Sequence, residues 1–258
     1  MAYKPFDLSG KVALITGGNS GIGLGFGEAL AASGADVCIW GTNEEKNAAA
    51  VKTLSAYGTK VAALRCDVGE EAQVDDSFAE TLNQFGRVDS CFANAGVSGR
   101  RGVKSFTEMT SEEWHRVLRV NLDGAFYTFR AACRHMMERG DGGRLVGTAS
   151  LAAISGQARG QHYAATKGGL ISMILALSVE MARYKVTANS ILPGWIETAM
   201  TEQTFAWEKF ASNVMPRIPV RRWGDQNDFG GIAVYLASDA SSYHSGDTFV
   251  IDGAYGKF

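Results

Sequence analysis

The chain of 258 residues carries 25 Lys plus Arg against 27 Asp plus Glu, a formal charge of −2, which excludes a broad basic footprint for nucleic acid. With 46% apolar and 20% charged residues, its composition is that of a chain that buries a sizeable core, not of a disordered one. Glycine is the outlier: 31 glycines against 4 prolines, with no Gly-X-Y period, point to close backbone approaches.

Short apolar runs at 12–16, 37–41, 61–66, 89–93, 145–148, 188–192 and 248–251 read as seven strands, and helix-period segments lie near 21–33, 43–57, 70–85, 111–138, 161–184 and 226–237. Apolar strands alternating with helices predict the α/β class: a Rossmann fold whose doubly wound, seven-stranded parallel sheet has helices on both faces. Ligands then bind at the carboxyl ends of the strands. No linker, composition break or repeat divides the chain, so one domain over 1–258 is expected, with a small insert near 198–216. Thr42 with Glu45 and Thr110 with Glu113 read as capping boxes opening two of the helices. The 161–184 helix is apolar around nearly its whole circumference from 170 to 181. A sheet covers only one face of such a helix, so a homo-oligomer, a tetramer or dimer, is expected. Residues 1–10 hold no apolar signal region, and the longest uncharged apolar stretch, 168–179, falls short of the roughly 20 residues a bilayer needs. The expectation is a soluble cytoplasmic protein with no membrane partner. Cys38, Cys66, Cys91 and Cys133 form no C-x-x-C pair, and His115, His135, His162 and His244 have no H-E-x-x-H spacing, so no metal site is expected.

After the first strand the sequence reads Thr16-Gly17-Gly18-Asn19-Ser20-Gly21-Ile22-Gly23. A strand that runs into a glycine turn and then a helix is a phosphate-binding context. Gly17 lets the chain turn, Gly21 lets the backbone approach a pyrophosphate, and Gly23 lets the helix pack closely. The helix N-terminus offers free N–H groups and the positive end of its dipole. Gly25 and Gly27 continue the glycines into the helix, each at a cost of roughly 1 kcal/mol relative to Ala.

Further along, Tyr163 and Lys167 are four residues apart and share a helix face. A tyrosine titrates near 10, and a neighbouring ammonium lowers that value, which makes Tyr163 a usable general acid/base. Ser150, at the end of the fifth strand, has a hydroxyl suited to polarising a substrate oxygen. Asn121, a poor helix former, falls inside the 111–138 helix. Gly168 and Gly169 would let the Tyr163 helix pack closely.

Thr16-Gly17-x-x-x-Gly21-x-Gly23, Asn94-Ala95-Gly96, Asn121, Ser150, Tyr163-x-x-x-Lys167 and Pro193-Gly194 occur in order. Together they resemble the single-domain branch of the short-chain dehydrogenase/reductase family, over almost the whole chain. The resemblance implies hydride transfer between a nicotinamide and a carbonyl or secondary alcohol. Tyr163 would exchange the proton, Ser150 orient the carbonyl, Lys167 also hold the nicotinamide ribose, and Asn121 kink its helix and anchor a relay water. It further implies cofactor contacts from Gly17, Asn19, Ser20, Gly21, Ile22 and Gly23 at the turn, and from Gly41, Thr42 and Asn43 after the second strand. Asp67, accepting from the adenine amino group, and Val68 would follow the third strand. Asn94, Ala95 and Gly96 would sit beside the adenosine ribose, and Pro193, Gly194, Ile196 and Thr198 would grip the carboxamide. Asp252-Gly253-Ala254 departs from the family's Asp-Gly-Gly.

An acid after the second strand would bond a ribose 2′-hydroxyl and a base would accept a 2′-phosphate. Gly41-Thr42-Asn43 offers neither, and the missing acid favours NADP(H) over NAD(H). Phe205, Trp207, Phe210 and Met215 in the 198–216 insert read as an apolar substrate lid or as an ordinary helical hairpin. Arg100, Arg101 and Lys104 read as a solvated basic loop or an attraction for an acidic substrate, and His162 as a helix-start surface residue or a substrate contact. The substrate is a small carbonyl or alcohol compound, of the kind handled by 3-oxoacyl-carrier-protein reductases and polyol, gluconate or glucose dehydrogenases. The alternatives are a non-catalytic dinucleotide sensor or scaffold on the same fold, or a sugar-nucleotide epimerase. A sensor would be expected to lack Tyr163 or Lys167, and an epimerase to have a larger substrate lobe.

Overall fold

The computed structural model describes residues 3–99 and 103–257. Apolar, β-branched segments form seven strands: β1 Val12–Thr16, β2 Asp36–Gly41, β3 Val61–Arg65, β4 Ser90–Ala93, β5 Gly143–Thr148, β6 Val186–Pro193 and β7 Thr248–Ile251. All pair in parallel in one sheet of order β3-β2-β1-β4-β5-β6-β7. Succession reverses between β1 and β4, and a crevice opens at such a switch point beyond the carboxyl ends of the strands. The expected 89–93 strand begins one residue later, although the Asp89 backbone still bonds both neighbouring strands, its amide donating to the Val12 carbonyl at 2.8 Å and its carbonyl accepting from the Arg144 amide at 2.9 Å. Its buried carboxylate accepts from the Val12 amide at 2.9 Å and from Arg87 Nε at 2.8 Å.

Helices α1 Gly21–Ala32, α2 Glu44–Ser55 and α9 Gly230–Ala237 bury Phe26, Leu30, Leu54 and Leu236 with Phe92 in one apolar cluster. Those on the other face, α3 Glu71–Phe85, α5 Gly124–Arg139 and α6 Gln161–Glu180, bury Phe78, Phe129, Met136 and Ile174 in a second apolar cluster that includes Trp40. The segment expected as one helix over 111–138 is interrupted: α4 Ser111–Leu118 passes through a π-helical turn, Arg119–Asp123, before α5. Asn121 lies in that turn, where its side chain bonds a loop in place of supporting regular helix. The expected 161–184 helix ends at Glu180 and a 3₁₀ turn, Ala182–Tyr184, follows.

Capping departs from the sequence reading in detail. Asn43, not Thr42, caps α2, its Oδ1 accepting from the Lys46 amide at 2.8 Å; the helix starts at Glu44, which leaves Thr42 one position too early. Thr110 caps α4 as expected, but the Glu113 carboxylate turns away to the Arg116 guanidinium.

The 198–216 insert forms a helical hairpin, α7 Glu202–Phe205 and α8 Glu208–Val214. Phe205 stacks on Trp223 with centroids 4.1 Å apart, and Phe210 meets Trp195 edge-on at 4.9 Å. On α6, Leu170 and Ile174 are buried while Leu175 and Val179 face outward, Val179 with 79% of its surface exposed. No described helix is long and apolar enough to cross a membrane.

Two glycines in α1 find unequal reasons. A Cβ at Gly25 would lie 2.4 Å from the Gln226 carbonyl oxygen, whereas one at Gly27 would meet only side-chain ends, those of Leu54 at 3.1 Å and Ile15 at 3.6 Å. Gly25→Ala should therefore destabilise by about 1–2 kcal/mol net of helix propensity, lowering the unfolding temperature by roughly 2–6 °C. Gly27→Ala should stay within about 1 kcal/mol of wild type. Calorimetry on both variants checks this contrast; equal stability would remove the packing explanation for Gly25.

Candidate active site

The carboxyl ends of β1, β2, β4, β5 and β6 surround a cleft of about 610 Å³. Of the residues predicted for the site, all except Asn121 line it. The phosphate turn occupies one side. Gly17 and Gly21 adopt left-handed φ angles of +64° and +52°, where a side chain would be strained. A Cβ at Gly23 would lie 2.3 Å from the Gly17 carbonyl oxygen, so the turn closes only around glycine. Ser20 is the N-cap of α1 but makes no side-chain capping bond, and the first turn of the helix carries no acid. Its leading N–H groups and dipole thus face the cleft uncompensated, which suits an anion.

Two side chains lock this turn to its neighbours. Thr16 Oγ1 accepts from the Asn94 and Ala95 amides, both at 3.0 Å, and Asn94 Nδ2 donates to the Thr16 and Gly17 carbonyls at 3.1 and 3.3 Å. The Asn94 side chain, expected beside a ribose, is thereby committed to the turn. Buried Asn47, which the sequence reading passed over, accepts from Asn19 Nδ2 at 2.7 Å and donates to the Gly41 carbonyl at 2.9 Å. A poor helix former inside α2 was the available signal.

At the other end of the cleft, Lys167 is 4% exposed and its Nζ donates to the Thr148 carbonyl at 2.7 Å. Burial pulls the ammonium down to about 8, so it remains a cation at neutral pH. It lies 5.7 Å from the centre of the Tyr163 ring, one helical turn earlier on α6. A Cβ at Gly96 would stand 3.6 Å from Nζ and 3.3 Å from Asn121 Oδ1, so the absence of a side chain keeps the lysine end of the cleft open. Ser150 caps a 3₁₀ turn, Leu151–Ala153, accepting from the Ala152 amide at 3.1 Å, and its hydroxyl shares the cleft with Tyr163.

Asn121 sits behind the wall. It accepts from the Val97 amide at 2.8 Å and donates to the Val97 carbonyl at 3.1 Å. It also reaches Thr166 Oγ1 at 3.4 Å, joining the π turn to the helix that carries Tyr163.

Several expectations change. The carboxylate of Asp67 is already shared, accepting from the Gly69 amide at 2.9 Å and pairing with Arg119 at 3.2 Å. Arg119, Arg116 and Lys46 line the cleft although the sequence reading did not name them. His162 is neither at the surface nor in the cleft: it is fully buried. Gly168 meets nothing within 4 Å, so only Gly169, beside Leu122, fits the close-packing expectation. Phe205 and Phe210 pack within the aromatic cluster of the insert, and it is Ala199, Met200 and Thr201 that reach the cleft. Lys104 is exposed; Arg100 and Arg101 lie outside the described residues.

A family model described as enoyl-(acyl carrier protein) reductase matches residues 17–255. The chain is 31% identical over 255 residues to 2-dehydro-3-deoxy-D-gluconate 5-dehydrogenase of Escherichia coli, covering 99% of each. It is 34% identical to 3-oxoacyl-[acyl-carrier-protein] reductase of Chlamydia pneumoniae, over 95% of this chain and 97% of the relative. Among solved structures, gluconate 5-dehydrogenase of Burkholderia cenocepacia, in complex with NADP and tartrate, superposes with a TM-score of 0.92 at 33% identity, covering 98% of each chain. The glycine turn at the switch point, the Tyr163–Lys167 helix beside it and these whole-chain similarities agree: the protein belongs to the short-chain dehydrogenase/reductase family and is an NAD(P)-dependent oxidoreductase.

Proposed function

We propose that this oxidoreductase interconverts a carbonyl and a secondary alcohol with Ser150, Tyr163 and Lys167 as its catalytic groups. The observation that carries the reading is the buried Lys167 ammonium, fixed on the Thr148 carbonyl beside Tyr163 at the end of a cleft that begins at a glycine turn. Gly17, Gly21 and Gly23, with the α1 N-terminus, fit a pyrophosphate, so the turn, Asp67, Asn94, Gly96 and the 193–198 segment would hold a dinucleotide along the cleft. When bound there, a nicotinamide coenzyme supplies the hydride. The Ser150 hydroxyl donates to the substrate oxygen and holds it toward Tyr163. Tyr163 gives that oxygen its proton in reduction and takes it back in oxidation. The Lys167 cation favours the phenolate, which brings the tyrosine toward neutral working pH. Asn121 keeps the π turn and Val97 in place behind the lysine.

NADP(H) is the coenzyme we favour. Neither a base nor a carboxylate stands at 41–43, but Lys46, in the first turn of α2, lines the cleft together with Thr42 and Ser20. A cation with two hydroxyls suits a phosphomonoester better than a 2′-hydroxyl. The substrate class favoured is that of the relatives, 3-oxoacyl thioesters or sugar acids and polyols, with Ala199, Met200 and Thr201 of the insert on its side. One sheet shared by all seven strands supports a single oxidoreductase domain. The outward Leu175 and Val179 on α6 support a homo-oligomer, dimer or tetramer, and a cytoplasmic location fits a nicotinamide-dependent reductase.

Tyr163→Phe should bind coenzyme with unchanged affinity and lose about 10²–10⁴-fold in turnover, the usual contribution of a positioned acid/base. Coenzyme fluorescence titration together with steady-state rates checks this, and retained turnover would remove Tyr163 from the mechanism. Lys46→Glu should lower kcat/KM with NADPH by about tenfold or more, while that with NADH stays level or rises. Equal loss with both coenzymes would count against a 2′-phosphate at this position.

A further inference from the structure

His162 directly precedes Tyr163, yet it is fully buried and takes no part in lining the cleft. Its Nε2 lies 3.4 Å from Glu113 Oε1. The Arg116 guanidinium holds the Glu113 carboxyl below the usual carboxylate range, so the glutamate is an anion and the imidazole donates to it through Nε2. That leaves Nδ1 as a buried acceptor with no partner among the described residues. An unsatisfied buried acceptor costs stability, and a phenylalanine of similar shape at this position would avoid the cost. Packing alone therefore gives no reason for a histidine here.

The segment that follows Gly96 supplies one. Val97 lines the cleft and is gripped on both its amide and its carbonyl by Asn121. The carbonyl of Ser98 accepts from Arg116 Nη2 at 2.9 Å, while the same guanidinium is forked on Glu113 at 2.6 and 2.8 Å. Gly99 lies against the imidazole so closely that a Cβ there would stand 2.4 Å from His162 Cε1. Three consecutive residues are thus held by three side chains, and the last two holds meet at His162, on the helix that carries Tyr163 and Lys167. The chain past Gly96 leaves the cleft at its Lys167 end, the end that reacts, and not at the phosphate turn.

We propose that His162, acting through Glu113 and Arg116, is a positioning residue that fixes the 97–99 segment and so holds Val97 as the substrate-side wall of the cleft, and thereby sets affinity for the carbonyl substrate without affecting coenzyme binding. The kinetic part rests on the carbonyl-reduction reading, while the structural part does not.

His162→Phe keeps the ring and removes both the bond to Glu113 and the orphaned acceptor. The unfolding temperature should be unchanged or higher. Amide hydrogen exchange over 97–99 should quicken by about tenfold or more while the β-strand core stays protected. KM should rise by about tenfold, with kcat within about threefold and the NADPH dissociation constant within about twofold. The probe is 5-keto-D-gluconate or ethyl acetoacetate, whichever the wild-type protein reduces faster. His162→Gln, whose amide nitrogen can occupy the place of Nε2, should recover most of the protection and of the KM. Unchanged exchange at 97–99 in His162→Phe overturns the proposal, as does a loss of NADPH affinity that matches the rise in KM. If the wild-type protein reduces neither probe, the carbonyl reading is in difficulty, and the exchange measurement still decides the role of His162.

Discussion

A lysine held almost without solvent at the end of an open cleft is the constraint on which the rest of the site depends. An ammonium loses hydration when buried, and Lys167 recovers part of it from a single carbonyl, that of Thr148 at the end of β5. The neighbours are arranged around this. Gly96 has no side chain that would close the cleft at Nζ, and Asn121 gives up regular helix geometry to hold Val97 behind it. Tyr163 stands one turn earlier on α6, with its ring centre 5.7 Å from that charge. Burial that draws the lysine down to about 8 also keeps its charge poorly screened by water, so the charge counts for more on whatever lies beside it.

The opposite end of the cleft is built on close backbone approach. Thr16, Asn94 and Asn47 use side-chain hydrogen bonds to join the ends of β1, β4 and β2 around the glycine turn. Their geometry leaves the α1 N-terminus free to meet an anion. Four of the glycines show two uses: left-handed φ angles at Gly17 and Gly21, and sheer contact at Gly23 and Gly25, where a Cβ would strike a carbonyl oxygen.

Much of this was legible in the chain because it is local. Every strand fell within two residues of its apolar run, and the turn, Ser150, Tyr163 and Lys167 lie in one cleft, as the family resemblance implied. The features that escaped are those decided by contacts distant in sequence. Thr42 and Asn43 are both good caps, and only the register of α2 against the sheet selects Asn43. Nothing near Lys46 says that its side chain faces the crevice, and nothing near His162 says that Gly99, 63 residues earlier in the chain, covers it. The π turn is hinted at by an asparagine in a helix, but its bonds to Val97 and Thr166 belong to other elements. Phe205 and Phe210 read equally as lid or hairpin until Trp195 and Trp223 are placed beside them.

The central claim is that a nicotinamide coenzyme lying in this cleft reduces a carbonyl held between Ser150 and Tyr163. The most direct test is to supply NADPH deuterated at C4, each epimer in turn, with 5-keto-D-gluconate, a 3-oxoacyl thioester and a cyclic diketone, and to analyse the products by mass spectrometry. The account predicts one deuterium on the new carbinol carbon of at least one product, delivered from one epimer only. Tight coenzyme binding with no deuterium transferred to any of the three would contradict it.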